Sequence, residues 1–65
     1  MNRTAMIEHA RQAAEAADRA YTQYLETYGN LAVQRPGFDR ETYVRLMRDA
    51  ETTYGSYAEL RYGTQ

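Results

Sequence analysis

An all-α fold, an antiparallel two-helix hairpin that pairs into a homodimeric four-helix bundle, is what this sequence predicts, and three features carry the prediction. Across residues 7–31 the apolar positions Ile7, Ala10, Ala14, Ala17, Tyr21, Tyr24, Tyr28 and Leu31 alternate steps of three and four, the a/d spacing of a helix that faces another helix. A second stripe at helical spacing, Tyr43, Leu46, Met47, Ala50, Tyr54, Tyr57 and Leu60, follows downstream. Between the two stripes stands Arg35-Pro36-Gly37, a helix-breaking run. Helix 1 over about 4–28, a loop over 29–38 and helix 2 over about 39–61 then make one domain, the helices matching at roughly 37 and 33 Å. Dimerisation is expected from size. A chain of 65 residues buries only about 60% of its unfolded surface, and with no cysteine it has no disulfide staple.

Helix 1 can start at either of two caps, since the side-chain oxygen of Asn2 or of Thr4 can accept from a first-turn N–H. The alanine-rich stretch that follows has high helix propensity. Opposite the apolar stripe, Glu8, Arg11, Glu15 and Arg19 stand three and four apart and form a charge ladder, each pair contributing about 0.2–0.5 kcal/mol. The apolar stripe has two halves, small at Ala10, Ala13, Ala14 and Ala17 and bulky at Tyr21, Tyr24, Leu25 and Tyr28. A partner backbone can come close only at the first half, where the dimer's closest contact is expected. Gly29 and Asn30 suit a C-cap, so the helix is expected to end near Tyr28.

The ten-residue connection is long for a bundle, and Leu31 and Val33 are expected to fold back over the end of the hairpin as an apolar lid. Helix 2 begins at a strong signal. Asp39 is a good N-cap, and Phe38 before it and Tyr43 four positions into the helix have the spacing of a hydrophobic staple. Glu41, Arg45 and Asp49 form an i,i+4 ladder outside the stripe. Gly55 costs about 1 kcal/mol relative to alanine inside a helix, so either a kink or a close backbone approach is expected there. The Tyr-Gly-polar triplets at 28–30, 54–56 and 62–64 are too short to establish an internal repeat.

A net charge of −1 argues against a dominant electrostatic attraction to nucleic acid or to an anionic membrane. No apolar run reaches the 18 or so residues of a membrane span, and the N-terminal residues lack a secretory apolar region. These features predict a cytoplasmic protein; the opening Met predicts a complete small reading frame, and the small size suits an origin in a phage or mobile element. His9, the only histidine, has Ala5, Met6, Gln12 and Ala13 as helical neighbours, so neither a metal site nor an oriented base is built around it. Ser56 is the only serine, and the absence of lysine removes Schiff-base chemistry. There is no phosphate loop, dinucleotide fingerprint or zinc spacing. The sequence therefore predicts no enzymatic activity, no cofactor and no metal.

All 8 basic residues are arginine, and 7 tyrosines outnumber what a two-helix core can bury with every hydroxyl satisfied. A tyrosine either packs with its hydroxyl at the rim of the core or lines a recognition face. The function predicted is a small non-catalytic protein-protein interaction module, an adaptor, inhibitor or regulatory subunit. Its contact surface is a Tyr/Arg-rich helical face with Tyr21, Tyr24, Tyr28, Tyr54 and Tyr57 as the binding residues, and its partners are a second copy and another protein. The alternative is an RNA- or DNA-binding hairpin using Arg35, Arg40, Arg45 and Arg48, diluted by Asp39, Glu41, Asp49 and Glu51 on the same segment.

Overall fold

The structure, a computed structural model, describes residues 2–63. Two helices, α1 (Arg3–Tyr28) and α2 (Arg40–Tyr62), pack against each other. They run antiparallel. At the open end the Arg3 guanidinium donates to the Leu60 carbonyl at 2.7 Å, and at the loop end the Tyr24 phenol meets the backbone of Asp39.

Local chemistry accounts for the four helix ends. Asn2, not Thr4, caps α1, its side-chain oxygen accepting from the Ala5 N–H at 2.7 Å. Gly29 closes α1 and Gly63 closes α2, each donating its N–H to a carbonyl four residues back. Asp39 caps α2 by accepting from the Thr42 N–H at 3.0 Å, and the staple forms with Phe38 and Tyr43 ring centroids 5.6 Å apart. α2 passes unbroken through Gly55, whose missing side chain faces open space, so no neighbour among the described residues approaches there.

The a/d stripe of α1 is the face that packs on α2. Ala14 is fully buried, with Ala10, Ala17, Tyr21, Tyr24 and Tyr28 partly covered around it, while Ala13 is exposed. The buried positions of α2 are Tyr43 and Ala50. Among the described residues no large side chain is fully buried, because two helices form a single layer, and the Cα trace measures 45 × 20 × 14 Å. Tyr54 is 43% exposed at the edge of its stripe. No helix among the described residues is long and apolar enough to cross a membrane.

The connection is an ordered, hydrogen-bonded unit. The Arg35 N–H donates to the Tyr28 carbonyl at 2.9 Å, and Gly29 pairs with Gln34 in an isolated antiparallel bridge. The Phe38 N–H donates to the Arg35 carbonyl at 3.0 Å across a turn with Pro36 and Gly37 at its centre. Gly37 has φ 93°, the positive value a type II turn requires at its third position. The expected apolar lid does not form. Leu31 and Val33 are 47% and 65% exposed, because Asn30 accepts the Ala32 and Val33 N–H groups on its side-chain oxygen, both at 2.8 Å, and curls the segment away from the helices. Tyr28 and Phe38 lie at this end of the hairpin instead, with Tyr28 against Gly37.

Candidate interaction site

The tyrosines predicted as one contact surface fall into two groups. Tyr21, Tyr24 and Tyr28 project from successive turns of the buried face of α1 into a chain of tilted aromatic contacts. Centroid distances are 4.9 Å for Tyr28–Tyr24, 6.0 Å for Tyr24–Phe38, 5.6 Å for Phe38–Tyr43 and 5.9 Å for Tyr43–Tyr21. These distances lie in the range where offset and tilted ring pairs attract. Tyr24 carries its hydroxyl to the rim, where it accepts from the Asp39 N–H at 2.7 Å and donates to the Asp39 carbonyl at 3.1 Å. This group packs the loop end of the hairpin.

Tyr54 and Tyr57 lie further along α2. The Tyr57 phenol oxygen accepts from the Arg61 guanidinium at 3.3 Å. Tyr54 overlooks a groove of about 360 Å³ between the helices, lined by Asp18 and Tyr21 from α1 and by Met47, Ala50, Glu51 and Tyr54 from α2. Tyr21 thus faces two ways, toward Tyr43 in the aromatic chain and into this groove. Its phenol is held above the usual tyrosine pKa, chiefly by the neighbouring Tyr43 phenol and by burial, with smaller contributions from the carboxylates of Glu51 and Asp18. The sequence reading overlooked Asp18, Met47 and Glu51 as groove residues. A signal was present, since Asp18 precedes Tyr21, and Glu51 precedes Tyr54, by the same three-residue helical step.

The four arginines predicted to contact nucleic acid are also divided. Arg35 donates to the Glu26 carbonyl at 2.8 Å, in the last turn of α1, where a cation favours the negative end of the helix dipole. Arg40, Arg45 and Arg48 remain together on the outer face of α2 around an open hollow of about 560 Å³, which Glu41, Val44 and Asp49 also line. The predicted ladder of Glu41, Arg45 and Asp49 does not close into ion pairs within 4 Å among the described residues. The pairs that do form join Arg11 to Glu8 and to Glu15, the latter at 2.7 Å. His9 is exposed, and the described residues contain no group of three or more metal-ligating side chains.

Comparison with known proteins adds no family. No protein-family model, no curated protein and no solved structure matches this chain.

Proposed function

We propose that this chain is a small non-catalytic protein-protein interaction module that acts as a cytoplasmic homodimer, its two hairpins pairing into a four-helix bundle. The observation that carries the interaction reading is the groove between the helices, which exposed Tyr54 and partly covered Tyr21 line together with Met47 and Ala50. Tyrosine brings large, rigid contact area at low conformational cost, which is why it anchors protein interfaces.

The dimer is supported by area. The monomer exposes 4920 Å², whereas a folded monomer of 7.5 kDa is expected to expose about 4,200 Å². The excess of about 700 Å² is close to the roughly 800 Å² that each partner covers in a standard interface. Sedimentation equilibrium at micromolar concentration tests it, and a cooperatively melting monomer would remove the dimer. For the partner, capture from the native host with the wild-type chain and with Tyr54→Ala is the test. A partner retained equally by both chains would remove the groove as the contact surface.

Clustering of Arg40, Arg45 and Arg48 around one hollow favours a second reading, binding of RNA or DNA by the outer face of α2. Phosphate contacts make affinity fall steeply with salt, so a binding series at rising ionic strength discriminates, and flat salt dependence would exclude this reading.

A further inference from the structure

We propose that the groove between α1 and α2 receives the guanidinium of an arginine side chain from a basic segment of the protein partner, held between Tyr21 and Tyr54 and neutralised by Asp18 and Glu51. This deepens the interaction reading and rests on it.

Geometry supplies the first argument. The two carboxylates come from different helices, Asp18 from α1 and Glu51 from α2, and they share one groove with two phenol rings, a methionine and an alanine. Electron-rich ring faces attract cations, while Met47 and Ala50 provide an apolar wall for the methylene stem of a long side chain. A guanidinium suits this mixture better than an ammonium does, being planar, weakly hydrated and able to stack on an aromatic ring while donating to a carboxylate.

Charge supplies the second. No basic residue lines the groove, and the ion pairs among the described residues belong to Arg11, so neither Asp18 nor Glu51 has a cation within 4 Å. Elsewhere on the chain arginine and carboxylate are mixed, as in the hollow of α2 where Arg40, Arg45 and Arg48 stand with Glu41 and Asp49. The groove is the patch where negative charge and aromatic surface coincide without a resident cation.

The test is an NMR titration of the full-length chain, following backbone amides, with an end-capped Ala-Arg-Ala peptide. The control is the same peptide carrying citrulline, which keeps the shape and removes the charge. Shift changes should concentrate at residues 18, 21, 47, 50, 51 and 54, and citrulline should bind about tenfold more weakly, as expected from losing one cation–π contact and two partly solvated charge pairs. The double variant Asp18→Asn, Glu51→Gln should weaken the arginine peptide by a similar factor while leaving the circular dichroism spectrum unchanged. Equal binding of the citrulline peptide, an unaffected double variant, or shifts spread evenly over the other surface carboxylates would each overturn the proposal. If the peptide fails while Tyr54-dependent partner capture persists, the arginine assignment falls and the interaction reading stands. If a partner is captured equally by Tyr54→Ala, the groove falls as the contact surface and the arginine assignment falls with it.

Discussion

The Tyr24 phenol oxygen spans both backbone polar groups of Asp39, accepting its N–H at 2.7 Å and donating to its carbonyl at 3.1 Å. Asp39 is the N-cap of α2, so one hydroxyl from α1 fixes the point where the second helix begins. Tyr24→Phe should therefore lower unfolding free energy by about 1 kcal/mol, the usual net worth of such hydrogen bonds, without altering the ring packing. Tyr24→Ala should cost more, since the contacts with Tyr28 and Phe38 go as well. Urea denaturation measures both, and a phenylalanine variant as stable as wild type would show that the clasp is incidental.

Two glycines should respond to alanine with opposite signs. Gly37 lies at φ 93°, and a Cβ there would sit 2.8 Å from the Tyr28 ring, so Gly37→Ala is expected to destabilise by about 1–2 kcal/mol. Gly55 faces open space inside a regular helix, so Gly55→Ala should stabilise by about 0.5–1 kcal/mol. Thermal melts of the pair decide the matter. A stabilising Gly37→Ala would mean that the loop does not hold its positive-φ turn in solution.

Ala14 has no exposed surface where α1 meets α2. Ala14→Leu adds volume that the opposing helix must yield to, at a cost of about 1–3 kcal/mol. A leucine variant with an unchanged denaturation midpoint would show that the helices stand further apart than this packing implies.

Acid should weaken the fold through the cap of α2. The Thr42 hydroxyl and N–H both donate to the Asp39 carboxylate, and together with the charge of Arg45 they hold its pKa below the ordinary aspartate value. The Glu8 carboxylate is lowered likewise, chiefly by its hydrogen bond with Arg11. Because the folded-state values lie below the unfolded ones, this stabilisation is fully present above about pH 4 and is lost as pH falls through the folded-state values. Melting temperature should drop on that descent, and Asp39→Asn, which keeps a cap acceptor but cannot titrate, should flatten it. An identical pH profile for the variant would remove Asp39 as a source of the acid sensitivity.

Legibility of the fold from sequence followed the range of the interactions. The cap at Asp39, the Phe38–Tyr43 staple and the glycine closing α1 are contacts within about five residues, so residue type and spacing sufficed to place them. The a/d stripe of α1 was readable for the same reason, because a helix presents positions three and four apart on one face whatever its surroundings. Leu31 and Val33 do not form the lid that their apolarity predicts, because the two hydrogen bonds accepted by the Asn30 side chain turn the segment outward.

By itself, then, the sequence determined two helices, their ends and the faces they turn toward each other, since propensity, capping and periodicity act along the chain. What the tertiary structure alone decided is the fate of chemically identical side chains. Tyr24 and Tyr28 are spent on the loop end while Tyr54 stays exposed, and Arg35 closes α1 while Arg40, Arg45 and Arg48 stay on the outer face of α2. The groove that joins Asp18 and Tyr21 to Glu51 and Tyr54 exists because an antiparallel register brings the middle of one helix beside the middle of the other. No spacing along a single helix encodes that register. It is held by contacts between the two helices, among them the clasp between Tyr24 and Asp39 and the ring pair of Tyr21 with Tyr43.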